Sequence, residues 1–450
     1  MKKDFDFMFD FMKERAVKRF KGKRIFQKIS VSICVYLWII FLCFSMTAQT
    51  LAPGAPGTDA QWATAGKQAI GTSVSLESKI WFTLTQGVLT EVYYPDVTIA
   101  NVHILQFVMV DPKTKKVETE RDDAIHQIKP LRSDSLSFQQ INTAKNGAWK
   151  ITKTYTTDPE RASVLIDVKF ESKNKNLNLY VYYDPSLANT GMHDKAYSPL
   201  LQLKGEYEYE KGTITKDGVK TVKKTGSATV SGGMGAEEGK YASAVFFSSD
   251  IEEYTNNYLG KNDGLEQLRK FGKITETYAE ASNGNVVQMA RIMKPQQFTT
   301  IISFGEDILK ASTAAAKSHE KGFAKCLAEY EKGWSDYVKT VRKVEPKYQA
   351  QFNMAAMVLK AYEDKTVRGA NVASLTIPWG GGLTANEDVG GGYHLVWSRD
   401  LYQVFTAYLA LGDTAAATRA LDFLFKIQQK PDGSFPQNSW LDGRNGWGGL

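Results

Sequence analysis

Cysteine is scarce in this chain. Three occur among 450 residues, and two of them, Cys34 and Cys43, sit inside one apolar block. Cys326 is left alone, which excludes a disulfide framework and a thiolate metal site. Histidine is nearly as rare: His103, His126, His193, His319 and His394 are scattered without ligand spacing, so no metal and no cofactor are expected. No apolar run is long enough to cross a membrane with ease. The block from Val31 to Phe44 (VSICVYLWIIFLCF) has 14 residues; as a helix it rises about 21 Å against a hydrocarbon core of about 30 Å. A basic face is missing as well. The net charge is +7, but residues 1–48 hold ten Lys/Arg against four Asp/Glu, leaving about +1 for the remainder. Nucleic acid and acidic lipid are therefore excluded as expected partners.

The basic start, the short apolar block and the small residues of SMTAQT together have the order of a secretory signal. Residues 1–48 are expected to be that signal, cleaved after Ala48, with the mature chain secreted or periplasmic. The leading basic region is long, so translation from Met8 or Met12 is an option. An uncleaved membrane anchor is the alternative reading, and only then is a membrane a partner. Cys43 follows Ile40, Phe41 and Leu42, so it does not make a lipobox.

Hydrophobic residues make up 43% and charged residues 23%, an ordinary globular balance that allows at least two cores at this length. LAPGAPG, within 49–59, has the composition of a linker. Residues 60–305 carry short runs rich in Val, Ile, Thr, Tyr and Phe: Val88 to Tyr94, Ile104 to Val110, Ser163 to Phe170, Leu177 to Tyr183 and Phe298 to Phe304. Turn formers such as Asn146-Gly147 and Asn262-Asp263-Gly264 separate them. That pattern predicts a large antiparallel β-sandwich without intervening helices. Lys204 to Lys224 is expected to form a hairpin. From 306 to 345 the period becomes helical, with Phe323, Leu327, Trp334, Tyr337 and Val341 inward and glycines at 322 and 333 dividing the segment into two linker helices. Three further helices are predicted in 346–450. The first runs from Lys347 to about Glu363 on the stripe Phe352, Ala355, Ala356, Leu359 and Tyr362. The second starts near Arg399, with Leu401, Val404, Phe405, Tyr408 and Leu411 inward, and stops at Gly412. The third is capped by Asp413 and carries Ala417, Leu421, Leu424 and Ile427. Such hairpins suit an (α/α)6 barrel, of which three helices are only the first part.

The residues with chemistry to offer gather late in the chain. In Tyr393-His394-Leu395-Val396-Trp397-Ser398-Arg399-Asp400 a guanidinium and a carboxylate stand side by side where a helix is expected to open. Together they can clamp vicinal hydroxyls with charge-assisted hydrogen bonds. Trp379, Trp397, Trp440 and Trp447 are four of nine tryptophans in the chain, and indole faces pack against the C–H faces of pyranose rings. Trp379 is followed by Gly380, Gly381 and Gly382, which leave its loop free to approach a ligand. The two glycine runs, 380–382 and 390–392, lack the spacing of a phosphate-binding loop. Glu387 and Asp388 are neighbours on one loop and poorly placed to face each other across a sugar. Asp442 has the setting of a turn residue.

This stretch, from Trp379 to Leu450, closely resembles the start of the catalytic domain in glycoside hydrolase family 15, the bacterial glucoamylase and glucodextranase type. The opening QWATAGKQAIGTS from Gln61 is similar to the start of that family's N-terminal sandwich. The resemblance implies a sandwich followed by an incomplete (α/α)6 barrel. It also implies an exo-acting glycosidase that releases glucose from non-reducing ends of α-glucan oligo- or polysaccharides with inversion. In that family the residues matching Arg399 and Asp400 grip hydroxyls of the terminal glucose. With Trp397, Trp379, Trp440, Trp447 and Tyr393, read from their residue types and position, they are the substrate-binding candidates. The general acid of that family follows the W-G-G-L segment, so both catalytic glutamates are expected beyond Leu450 and this chain is expected to be an inactive fragment. A disaccharide phosphorylase of similar architecture and a non-catalytic secreted glycan-binding protein are the alternatives.

Overall fold

The structure is a computed structural model that describes residues 49–450, except 199–202, 216–217, 231–232, 378–379, 381, 383, 386–391 and 447–450. For 49–50 and 203–230 it describes the backbone alone. The expected signal or anchor, residues 1–48, lies outside the described residues. Among those described, no helix is long and apolar enough to cross a membrane.

Two antiparallel sheets pack face to face. One runs through Tyr278–Gly284, Asp194–Tyr197, Met234–Glu238, Tyr241–Phe247, Gln297–Gly305, Ser163–Ser172, Trp149–Thr157, Phe138–Ala144 and Ala124–Pro130. The other runs through Ile251–Tyr258, Val286–Ile292, Asn178–Asp184, Ile104–Val110, Val88–Tyr93, Trp81–Thr85 and Ala69–Gly71. The five runs picked out by composition therefore coincide with strands to within two residues. Leu203–Thr215 and Gly218–Val230 pair with each other as a separate hairpin, at the place expected for one. The stretch expected as a linker lies against the sandwich instead: Ala52 N donates to Glu280 O at 2.8 Å and Asn285 N to Pro56 O at 2.8 Å.

Helices also enter this region, against expectation. Besides the single turn α1 (Glu120–Asp123), the turn signal Asn262-Asp263-Gly264 opens a helix, α2, from Gly264 to Phe271. The Asp263 carboxylate caps it by accepting from Leu265 N and Glu266 N, and Gly272 ends it at φ 72°. The same Asp-Gly pair that favours a turn also supplies an N-cap, and the amphipathic residues that follow decide the outcome. Leu268 of α2 packs on Val108, Tyr180 and Met289 on the outer face of the second sheet. Ile104–Val110 is consequently buried along its whole length, so apolar residues are not confined to alternate positions.

The outer face of the first sheet is covered by α3 (Ile308–Lys321) and α4 (Phe323–Thr340), whose Ala311, Ala315 and Cys326 meet Leu165, Ala244 and Ile301. The two helices divide at Gly322 (φ 83°). In α4 the buried stripe is Cys326, Tyr330, Trp334 and Val338, at steps of four. Of the predicted set Trp334 is buried within the helix and Val341 at its C-cap, while Phe323, Leu327 and Tyr337 are half-buried.

Three helices follow: α5 (Pro346–Ala361), α6 (Ser398–Leu411) and α7 (Thr414–Phe423). In α5 the buried face is Asn353, Ala356, Met357 and Ala361, rotated from the predicted stripe by about one residue. The cause is tertiary: α5 is tied to the sandwich by Trp81, whose indole donates to Ala361 O at 2.8 Å. In α6 Leu401, Tyr408 and Leu411 are inward as expected, and Gly412 closes the helix at φ 86°. In α7 the Asp413 cap holds, with its side chain accepting from Ala416 N. The small face Ala416, Ala417 and Ala420 is buried with Phe423, while Leu421 and Ile427 are exposed. The sandwich and these helices share one continuous core. Trp334 donates to Thr72 O at 2.8 Å. Lys365, buried on the sandwich, donates to Thr72 Oγ1 at 2.6 Å and to Ser78 O.

Candidate functional site

The segment Tyr393–Asp400 is shaped by neighbours on both sides. Ser374 N donates to Tyr393 O at 2.8 Å and Ala373 N to Leu395 O at 3.1 Å, so residues 373–374 run alongside it. Val396–Trp397 then pairs as a two-residue ribbon with Asn438–Ser439. Ser398 locks the ribbon, donating from Oγ to Pro436 O at 2.6 Å. Gln428, fully buried, donates to Val396 O at 2.8 Å and to Ser439 Oγ at 3.0 Å. It sits at the end of a π-helical turn, Leu424–Gln428, a distortion frequent near functional sites. Sequence reasoning missed Gln428. A polar residue on the buried side of an otherwise amphipathic helix was the available signal.

The ribbon places Trp397 at the N-cap of α6, with no side-chain cap bond. Asp400 is in the first turn, where the helix dipole favours a carboxylate. Its side chain is 44% exposed and that of Arg399 is 84% exposed, and the two are 3.9 Å apart. That distance is the limit of an ion pair. Neither side chain caps the helix, and the weak contact between them leaves hydrogen-bonding capacity on both as far as the described residues go. Tyr393 is exposed beside them, with its ring edge-to-face on Trp397 at 6.3 Å and 75°. Trp440 is half-buried one residue beyond the ribbon, held by Trp440 N to Arg444 O at 2.9 Å. Five of the seven predicted residues are thus on or beside one ribbon. The other two, Trp379 and Trp447, lie outside the described residues, as do Glu387 and Asp388. Asp442 is exposed and pairs with Arg444 within a turn.

Gly380 is described, and its role differs from the one expected. Trp62 N donates to Gly380 O at 2.8 Å and Ala385 N to Ala60 O at 2.7 Å, so Gly380 and Ala385 are each tied to the segment that precedes the sandwich. Behind the ribbon is His394, buried, with its ring 6.3 Å from Trp440 and 6.4 Å from Tyr93 of the sandwich. Burial lowers its pKa to about 4, against a smaller opposing effect from a hydrogen bond to the Thr376 backbone. The imidazole is neutral at pH 7. Among the described residues no group of three His, Cys, Asp or Glu side chains is arranged to hold a metal ion.

The comparisons with known proteins identify the family. A family model described as glucodextranase, domain N matches residues 52–339, and one described as glycosyl hydrolases family 15 matches residues 346–432. The chain belongs to glycoside hydrolase family 15. Within that family it is similar to a glucoamylase of Clostridium sp. (strain G0005), at 33% identity over 406 residues, 89% of this chain and 53% of the relative. It is also similar to a crystal structure of a bacterial glucoamylase complexed with acarbose, at 32% identity and a TM-score of 0.78, over 89% of this chain and 55% of that one. The chain thus spans about half the length of the family 15 relatives it matches.

Proposed function

We propose that this chain provides the sandwich and the saccharide-gripping segment of an exo-acting, inverting α-glucan hydrolase that releases glucose from non-reducing ends. The observation that carries the proposal is the Arg399–Asp400 pair, with side chains 84% and 44% exposed and in only marginal contact with each other, on the segment that carries Tyr393 and Trp397 and pairs beside Trp440. A terminal glucose offers adjacent hydroxyls to that pair and C–H faces to the rings. The likeness to a glucoamylase complexed with acarbose supports a glucan-type ligand. Inverting hydrolysis needs an acid and a base about 6.5–9.5 Å apart. Neither role is assigned to a residue of this chain, so the chain alone is expected to bind and not to cleave. The basic and apolar character of residues 1–48 supports secretion or a periplasmic location.

Titration of the full chain with acarbose, followed by tryptophan fluorescence, tests this reading. Saturable quenching that disappears in Arg399→Ala and Asp400→Asn is the expected result. Wild-type protein that shows no response, or variants that bind as it does, would remove the saccharide assignment. Glucose released from maltose by the chain, and lost in Asp400→Asn, would overturn its expected inactivity.

A further inference from the structure

We propose that the N-terminal sandwich forms the inner wall of the saccharide site, and that His394 and Tyr93 are positioning residues that hold Tyr393, Trp397 and Trp440 in place. This rests on the reading that the aromatic residues around Arg399 and Asp400 bind a sugar.

The argument starts in the sandwich. Trp81 pairs with Tyr93 and Thr83 with Thr90, so Phe82 alone faces both Glu91 and Val92. That is a β-bulge, and Glu91 in it has φ 32°, a conformation costly for a residue with a Cβ. Something must hold it there. The buried Glu91 carboxylate is 2.8 Å from Lys67 Nζ, and Glu91 N donates to Val102 O at 2.7 Å. The bulge bends the strand just before Tyr93. The Tyr93 ring is fully buried and meets the His394 ring at 6.4 Å, with an interplanar angle of 46°. On the other side of His394 the Trp440 ring stands at 6.3 Å and 74°. The imidazole is thus a spacer between the sandwich and the last loop of the site.

The imidazole makes one hydrogen bond, to the Thr376 backbone, while its Nδ1 is buried with no partner among the described residues. A phenyl ring of similar breadth gives up that one bond and leaves no buried ring nitrogen unpaired. The backbone of Gly392 packs directly over the ring, since a Cβ there would be 2.6 Å from Nδ1. The ring is thus packed on three sides, and the adjacent Tyr393 is exposed with its own ring edge-to-face on Trp397. Phenylalanine should replace the spacer and alanine should not.

Indole N–H signals of the ¹⁵N-labelled full chain, recorded without sugar, test the proposal. His394→Ala should move the signals of Trp397 and Trp440 and leave that of Trp334 in place, while His394→Phe should keep all three. Acarbose affinity should fall about tenfold in the alanine variant and recover in the phenylalanine variant. Signals that stay put in His394→Ala, or that move as far in His394→Phe, would overturn the assignment. If the alanine variant fails to fold, acidification through about pH 4 decides: wild-type Trp440 should shift as the imidazole ionises, and His394→Phe should not. Identical titrations would refute the spacer. Signals that behave as stated in a wild-type chain that binds no acarbose would sink the sugar reading and leave the positioning role intact.

Discussion

Gly380 lies so close to Ala63 that a Cβ on it would stand 1.9 Å from the Ala63 carbonyl oxygen. The neighbour is backbone, which cannot rotate away, so Gly380→Ala must push residue 380 away from Trp62 and Ala63. The hydrogen bond from Trp62 N to Gly380 O, 2.8 Å in the native chain, would be lost with it. Overpacking of this kind costs about 1–3 kcal/mol. Urea unfolding of Gly380→Ala should show that loss as a lower midpoint with an unchanged slope. An unchanged midpoint would mean that Gly380 is not clamped.

Acid should weaken the joint between α5 and α7 before the sandwich fails. Glu363 is buried, and burial alone would raise its pKa. Hydrogen bonds from Arg419 and Arg368 and the charge of Lys360 outweigh that and hold it at about 2. Both arginines are bidentate, with Arg419 Nε at 2.6 Å and Arg368 Nη2 at 2.8 Å from the carboxylate. The folded pKa lies below the ordinary 4.5, so this stabilisation is complete above about pH 4.5 and is lost as pH falls toward 2. The gap corresponds to about 3 kcal/mol. Glu363→Gln should be destabilised by about that amount at pH 7, and its stability should be flatter than wild type between pH 4.5 and 2. Parallel profiles for the two proteins would refute the assignment.

Much of this was legible in the residues, and the failures have physical causes. Strand positions showed because β-branched and aromatic runs between turn formers have few other uses. The α6 stop at Gly412 and the Asp413 cap showed because both are local chemistry. Which face of α5 is buried was not legible: that is set by the Trp81 indole, 280 residues away in sequence. The Arg–Asp pair was visible as a motif. Its support, Gln428 behind the ribbon and Tyr93 behind His394, was not, because those contacts join segments that carry no mark of each other.

Arg399 and Asp400 should be separable from stability. Their side chains are 84% and 44% exposed and touch only at 3.9 Å, and an ion pair of that kind contributes about 0–1 kcal/mol. Arg399→Ala and Asp400→Asn should therefore melt within about 1 °C of wild type, since surface changes usually fall within ±0.5 kcal/mol. Acarbose binding should nevertheless be abolished in both. A large fall in melting temperature would show that the pair holds the helix terminus and would undercut its reading as a ligand clamp.

The sandwich core holds a contrasting pair. Lys153 and Glu120 are both fully buried and 2.8 Å apart. The ammonium also donates to Gly87 O at 2.8 Å, and the carboxylate accepts from Phe107 N at 2.8 Å and Asn142 Nδ2 at 2.6 Å. Lys153 thus donates to both Glu120 and Gly87 O, and these bonds offset part of the desolvation cost of two buried charges. Lys153→Met alone leaves a carboxylate in an apolar setting and should cost about 3–5 kcal/mol. Glu120→Gln added to it removes the orphaned charge while keeping an acceptor for Phe107 N. The double variant should then be more stable than Lys153→Met alone, by urea unfolding. If the two losses simply add, the pair is not coupled, and α1 is held to the sheet by its backbone and by Asn142 rather than by charge.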